Sequence, residues 1–411
     1  MIYDLVIIGG GPAGMMAAAR ASEKGAHVLI LEKNNSLGLK LLTTGNGRCN
    51  ISNLSPNDKK KMDVYGPGSK FLFSAFNKFD VDSTLNFFAN LDLITKIEDN
   101  GRVFPQSDRA SDVQSALVKY LKGNNVEIRF SAEVKEIIKN NEKIQKVILI
   151  NKKEVLGKNF LIASGGKSYP GTGSSGDGYL WLKNLGHTVN TPRPALVPII
   201  VKEDIVKELE GASFKDIKLD IYQNNKKLIS RLGNIIFTAD GLSGPAIIDL
   251  SSQIGALLPE KIVLKLDFHP QSEKKEFEAK IQNDFHHSNN KMLKNYLALI
   301  APPKLVPVIL KLTGINEEKL ISIISREERR RLIDTLKEFT LEIKGLKGFN
   351  QAMITAGGVD VKEVNPKTMQ SRLYNNLFLA GEILDLDGPS GGYNLQICWS
   401  TGYTVGDSII L

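Results

Sequence analysis

Asp4-Leu-Val-Ile-Ile-Gly9-Gly10-Gly11-Pro12-Ala13-Gly14 is an apolar run ending in Gly-x-Gly-x-x-Gly, and Glu32 follows 18 residues after the last of these glycines. That order describes a strand, a glycine turn, a helix and a second strand tipped by a carboxylate. Each part has a physical task. Gly9 makes the tight turn, Gly11 lets the backbone approach a pyrophosphate, and Gly14 packs helix on strand. The helix opening at Pro12 and Ala13 turns its positive end toward phosphate charge, and Glu32 accepts hydrogen bonds from a ribose.

Glycine turns also arise where a chain needs only positive φ or close packing, so the surroundings of the motif decide. The helix runs from Pro12 to Lys24 and closes at Gly25, and His27-Val-Leu-Ile-Leu31 is apolar enough for a strand buried on both faces. Strand, helix, second strand and acid therefore fall in register for dinucleotide binding. A carboxylate at the second strand's tip repels a 2′-phosphate, which favours FAD or NAD over NADP, with Lys33 as the opposing charge.

A length of 411 residues suggests two or three domains, and 42% hydrophobic with 24% charged residues is ordinary for a folded chain. The net charge of +8 favours anionic cofactors or substrates slightly and nucleic acid less, and no basic tail stands out. Cys49 and Cys398 are too far apart for a Cys-x-x-Cys pair, which argues against a disulfide framework or a zinc site and fits a reducing cytoplasm. The five histidines include one close pair, His286-His287, and none has metal-ligand spacing. Asp4 stands where a signal peptide carries basic residues, and no segment reaches about 18 uninterrupted apolar residues. A cytoplasmic protein without a membrane partner is expected, with the oligomeric state open.

The architecture expected is α/β: a dinucleotide-binding domain built from both termini, with an inserted β-rich domain that carries a helical subdomain. Its boundaries are 1–190 plus 351–411, 191–270 plus 339–350, and 271–338. Residues 34–60 form a polar, glycine-bearing loop, long enough to imply a ligand. Helices are expected over Ser69–Leu91 and Ala110–Lys122, and strands over Val126–Phe130 and Lys146–Asn151. Asn159–Ala163 runs into a second glycine turn at Ser164-Gly165-Gly166. Between about 190 and 350, β-like runs give way to a charged helical stretch at 272–338. The last residues return to the first texture: strand Asn376–Ala380, turn Gly381-Glu382, and a closing helix over Gln396–Ile410.

Three glycine turns, at 9–14, 164–166 and 391–392, suit one large cofactor spanning several strand ends. NAD alone would be served by the first unit, so the C-terminal return points to FAD, with Glu382 beside a ribityl hydroxyl or a bridging water. Gly388-Pro-Ser-Gly-Gly392-Tyr-Asn394-Leu395-Gln396 precedes the last helix, whose free N–H groups and positive end face the flavin's pyrimidine edge. A simple helix cap is the bland alternative. In the 40–50 loop Lys40 and Arg48 bring positive charge, and Asn46 and Asn50 bring amides, for pyrophosphate or flavin carbonyls; a solvated loop tied to its own backbone is the rival reading. Cys49 reads as a small buried hydrophobe, although it and Cys398 could meet near the cofactor. Arg326-Glu-Glu-Arg-Arg-Arg331 reads as a solvated helix face. No residue is assigned as catalytic.

The chain resembles the BaiN/YhiN family of FAD-dependent oxidoreductases, which includes aminoacetone oxidase-type flavoproteins. The resemblance rests on Gly45-Asn-Gly-Arg-Cys-Asn-Ile-Ser-Asn53, Gly101–Pro105, Gly165–Pro170 with Thr172–Gly178, Gly241-Leu-Ser-Gly-Pro245, Thr355–Val359 and Gly381-Glu382 through Gln396. It implies a Rossmann-like FAD-binding domain built from both termini, an inserted β-barrel-like domain and a helical subdomain, with FAD contacts at Gly11, Ala13, Gly14, Glu32, Lys33, Asn46, Val134, Gly165, Glu382, Asn394, Leu395 and Gln396, and a return to the flavin at Thr355–Val359. Where the family often reads Phe-Thr-His, this chain has Phe237-Thr238-Ala239-Asp240. The expected function is hydride transfer between flavin N5 and a small organic substrate such as an amino-ketone or enone. Oxygen or NAD(P)H serves as the partner oxidant or reductant, the nicotinamide binding only transiently. Nucleic acid is not the expected partner; a flavin-dependent RNA-modification factor and a non-catalytic FAD-binding protein are the alternatives.

Overall fold

A computed structural model describes residues 1–54, 59–98, 100–287 and 290–410. Residues 55–58 of the expected 34–60 loop, and 288 and 289 of the helical stretch, lie outside the described residues. The chain divides into two compact units, Met1–Ala195 with Phe349–Leu411, and Leu196–Gly348.

The first unit is built on a sheet of strands β1 (Ile2–Ile8), β2 (Val28–Leu31), β3 (Glu127–Arg129), β4 (Val134–Asn140), β5 (Lys143–Leu149) and β6 (Glu154–Ile162). Their order across the sheet is β3-β2-β1-β6-β5-β4. Leu5, Val6, Ile7 and Ile8 are buried in succession, as a strand with both faces covered requires. The β1 register on β2 runs from Leu5 opposite Val28 to Ile8 opposite Leu31, and on β6 it ends with Ile8 opposite Ile162. β1, β2, β3 and β6 are parallel, whereas β5 pairs antiparallel with both β6 and β4.

Helix α1 (Pro12–Glu23) crosses from β1 toward β2, α2 (Asp177–Asn184) follows the second glycine turn, and β7 (Val189–Ala195) pairs with β8 (Ile354–Val359). Strand β9 (Leu377–Leu379) joins β6 in parallel, Leu377 opposite Phe160, so the C-terminal segment completes the sheet that the N-terminus began. The closing helix α3 (Tyr393–Ser408) packs on α1 through glycines: a Cβ on Gly402 would lie 2.3 Å from the Ala13 carbonyl oxygen and one on Gly406 2.5 Å from that of Ala17. The helix expected over 69–91 is two helices, Ser69–Lys78 and Val81–Ala89, because Asp80 leaves the helical conformation and its carboxylate caps the second by accepting from the Ser83 N–H at 2.8 Å. The long loop after β2 also holds a short helix, Leu39–Thr43.

In the second unit the strands Ile199–Val201, Gly241–Ser243, Lys226–Thr238, Ser213–Gln223, Ile262–Asp267 and Phe339–Leu346 close into a barrel. Its interior is filled by alternate residues such as Leu219, Ile221, Leu264, Leu266 and Leu341, with Phe237 edge-on to Phe214 and Phe339 at 5.5 and 6.3 Å. Helices Lys274–His287, Leu293–Ile300, Leu305–Thr313 and Arg326–Lys337 share one apolar core with it. Ser325 opens the last of these with a capping box to Glu328, and most of the 326–331 charges stand in solvent. Ala239 and Asp240 line an open pocket on this unit, where the Asp240 carboxylate pairs with Lys347.

Candidate cofactor cleft

The strand ends of the first unit surround a cleft that encloses about 870 Å³ of empty space, part of it open to solvent. Gly9 adopts φ +107°, and a Cβ there would sit 2.5 Å from the Ala163 carbonyl oxygen, so the turn closes directly against the end of β6. A Cβ on Gly14 would come within 2.1 Å of the Gly9 carbonyl oxygen, which is the helix-to-turn packing its position demands. Gly11 differs, because a Cβ there would meet nothing within 4 Å. Its backbone faces open space at the uncapped N-terminus of α1, where the first N–H groups lack intrahelical acceptors.

Glu32 sits just past β2 and is buried. Its Oε2 accepts the Gly10 N–H at 2.8 Å, and its Oε1 accepts from the Asn34 backbone N–H at 2.9 Å and the Asn34 side-chain amide at 2.8 Å. One carboxylate thereby holds the glycine turn and stands at the cleft wall. Lys33 donates to Asp177 Oδ2 at 2.7 Å and Ser175 Oγ at 2.5 Å. Burial works to raise the Asp177 carboxyl, but Lys33 and Ser175 hold it below the usual carboxylate range.

Farther along the cleft, Lys40 donates to Glu382 Oε2 at 2.7 Å and to Ser168 Oγ at 2.5 Å. The other Glu382 oxygen accepts from Ser168 Oγ and from the Thr355 N–H, both at 2.8 Å. Thr355 Oγ1 in turn accepts the Lys167 N–H at 2.8 Å. This cluster ties the second glycine turn, β8 and the β9 turn into one wall. Gly381, with φ +76°, lets that turn approach α1, since a Cβ there would lie 2.9 Å from Ala13 Cβ.

Gly9, Gly11, Pro12, Ala13, Glu32, Lys33, Lys40, Val134, Gly165, Gly381 and Glu382 all line this one cleft. Gly14 supports it from behind. Asn46, Arg48, Gly392, Asn394, Leu395 and Gln396 are not among its lining. Arg48 pairs with Glu98 at 2.8 Å and covers the Phe104 ring at 3.9 Å, and Asn46 is exposed at φ +57°. The Asn394 amide bridges Gly388 and Pro389, bracing the turn before α3. Leu395 is half-buried on the apolar core. The Gln396 side chain is fully buried and its amide is taken up by Ser52, Thr84, Ser400 and the Asp80 carbonyl. Ser168 and Thr355, the hub of the wall, were legible only as members of quoted motifs.

Cys398 lines the cleft, and burial, helped by Glu382, pushes its thiol up to about 12; burial does the same to Cys49. Neither is a thiolate at neutral pH. Among the described residues, the buried side-chain oxygens Ser164 Oγ, on the cleft wall, and Asn50 Oδ1 have no protein partner. Open backbone at Gly11, an uncapped helix end, an acid at the second strand's tip and an unsatisfied hydroxyl together suit an elongated dinucleotide. Among the described residues no helix is long and apolar enough to cross a membrane.

A family model described as the HI0933-like protein Rossmann domain matches residues 3–408. The chain is 34% identical over 407 residues, 97% of each chain, to a 3-dehydro-bile acid delta(4,6)-reductase of Clostridium scindens. It is 30% identical over 414 residues, 98% of each chain, to a ribosomal RNA dihydrouridine synthase of Haemophilus influenzae. The protein of that name from Escherichia coli is 29% identical over 418 residues, 99% of this chain and 98% of that one. Among solved structures, the fold is similar to a 3-ketosteroid-delta4-(5alpha)-dehydrogenase of Rhodococcus jostii, with TM-score 0.54, 16% identity and coverage of 99% of this chain and 96% of that one.

Proposed function

This chain belongs to the HI0933-like family of oxidoreductases, and we propose that it is an FAD-dependent enzyme that reduces a carbon–carbon double bond conjugated to a carbonyl. The observation that carries the reading is the cleft itself, where the Gly11 turn, the α1 N-terminus, Glu32 and the Glu382 wall converge. In this reading the N–H groups of Ala13 and Gly14 hold the pyrophosphate, Glu32 accepts from ribose hydroxyls, and Val134 borders the adenine. Lys40 neutralises Glu382 and keeps that carboxylate oriented toward the cofactor's hydroxyl chain. The cofactor, when bound and reduced, supplies a hydride from N5.

The choice of bond rests on what the two kinds of relative have in common. A delta-4 double bond in a 3-dehydro-bile acid is conjugated to the 3-carbonyl, and the bond saturated in making dihydrouridine is conjugated to a ring carbonyl. Both reactions place hydride on a carbon made electrophilic by a distant oxygen. A small enone substrate, with NAD(P)H as electron donor, is the first reading. A uridine within RNA is the second, favoured by two relatives that match nearly the whole chain and by the net charge of +8.

The test starts from purified protein and the flavin it carries. Anaerobic NADH or NADPH should bleach it, and a 3-keto-delta-4-steroid should restore the yellow colour with a product richer by two hydrogens. If ribosomal RNA fragments restore it instead, and their binding weakens steeply with salt, the RNA reading holds. Absence of any bound flavin, or a flavin that neither nicotinamide reduces, would overturn the proposal.

A further inference from the structure

The loop after β6 runs Tyr169-Pro-Gly-Thr172-Gly173-Ser174-Ser175-Gly176 and enters α2 at Asp177. Two side chains from the tip of β2 hold it. Lys33 Nζ donates to Asp177 Oδ2 at 2.7 Å and to Ser175 Oγ at 2.5 Å, and Ser175 Oγ donates to the same Asp177 oxygen at 2.6 Å. Asn34 Nδ2, which donates to Glu32 Oε1, donates also to the Thr172 carbonyl at 3.2 Å. Gly173, at φ +101°, makes this approach possible, since a Cβ there would lie 2.5 Å from Asn34 Nδ2.

In the sheet, β1 lies between β2 and β6. A link from the tip of β2 to the segment that follows β6 therefore crosses the end of β1, where the glycine turn stands. Lys33, Asn34, Thr172 and Asp177 all line the cleft, as Gly9, Gly10 and Gly11 of that turn do. The link is thus a strap across the cleft, not a contact beside it. Asn34 joins the strap to Glu32, the acid that accepts from ribose in the reading above, so the crossing falls at the adenosine end. The strap has a hinge at Gly176, with φ +88°, just before α2. The Lys33 and Asp177 side chains are 26% and 39% exposed, so water and salt reach the pair that fastens it.

Resting on the FAD reading above, we propose that residues 172–177 form a strap over the adenosine half of the cofactor, and that the Lys33–Asp177 pair is the latch that sets how fast FAD enters and leaves. Lys33 acts on the strap rather than on the cofactor, because its ammonium is taken up by Asp177 and Ser175. A ligand contact and a latch differ in a way that kinetics reads. A bond made to FAD slows only its release, whereas a bond within the protein has to break for passage in either direction. Loss of the latch therefore raises both rate constants and leaves their ratio nearly unchanged.

Flavin fluorescence follows the uptake of FAD by the stripped protein and its release from the loaded protein into an excess of an FAD-scavenging apoflavoenzyme. Lys33→Met and Asp177→Asn should each speed both processes about fivefold, the worth of one partly exposed ion pair, with Kd within about twofold of the wild type. The double variant should be no faster than either single one, because the same bond is lost in all three. Raising the salt concentration should speed exchange in the wild type and leave Lys33→Met unchanged. Wild-type rates in both single variants overturn the inference, as do additive effects in the double variant. Faster release with unaltered uptake also overturns it, by making Lys33 a contact of the cofactor. A wild type that takes up no FAD removes the FAD reading itself, and the strap with it.

Discussion

At the residue scale, three glycines of one motif carry three different constraints, and substitution separates them. Gly14→Ala drives a methyl to within 2.1 Å of backbone at Gly9, where no flexible side chain can yield, and should cost more than about 2 kcal/mol of stability. Gly11→Ala places its methyl in open space, so the fold should keep its urea midpoint while FAD affinity falls at least about tenfold. Equal destabilisation of the two variants would contradict this division of roles. A second residue-scale expectation concerns His187, whose Nδ1 lies 2.9 Å from Glu363 Oε2 and whose Nε2 lies 3.0 Å from Ser371 Oγ. Burial holds its imidazole below the ordinary histidine range, outweighing the Glu363 carboxylate. The folded protein thus favours the neutral ring. Its contribution is complete above about pH 6.5 and is lost as pH falls toward the folded value, because the unfolded chain takes the proton first. Urea midpoints should drop from pH 8 to pH 5, and more shallowly in His187→Gln; parallel curves would acquit His187.

At the element scale, α3 joins the two ends of the chain. Its inner face carries Gly402 and Gly406 against the carbonyls of Ala13 and Ala17, and Ala13 belongs to the turn that lines the cleft. Small residues at this seam set how closely two helices approach, and so where the α1 N-terminus stands. Gly402→Ala gains about 1 kcal/mol of intrinsic helix propensity, but its methyl would press to 2.3 Å on backbone, a strain of about 1–3 kcal/mol. The strain should win, lowering the melting temperature and reducing FAD retention after gel filtration. A stabilised variant with undiminished flavin would mean that the helices separate at no cost. The apolar run of β1 was legible in sequence, whereas the break between two helices at Phe79 and the capping of Val81–Ala89 by Asp80 were not, since the apolar pattern runs through them.

At the scale of the whole molecule, each unit has its own apolar core. The 196–348 unit begins and ends at one place, where the Lys347 N–H donates to the Pro198 carbonyl at 2.9 Å, and its barrel is closed within that span. A fragment of residues 196–348 should therefore fold alone and unfold cooperatively in urea, whereas a chain ending at 375 loses β9 and α3 and should retain no flavin. Circular dichroism melts of both fragments test this; a fragment 196–348 without a cooperative transition would mean that its core depends on the rest of the chain.

The amino-acid sequence determined by itself the βαβ opening, the acid at the second strand's tip and the return of the C-terminus to the first sheet. Those features follow from local spacing and apolar period, which a single segment carries whole. Only the tertiary structure decided which polar side chains face the cleft. Lys40 and Arg48 look alike along the loop, yet one reaches Glu382 and the other is held by Glu98 and the Phe104 ring. Gln396, on α3, and Asn50, packed at its first residue, are both buried amides, yet the first is satisfied by four neighbours and the second keeps a free oxygen. The reason is physical: a polar group's role is fixed by the partner it meets, and here those partners come from segments up to 344 residues away along the chain.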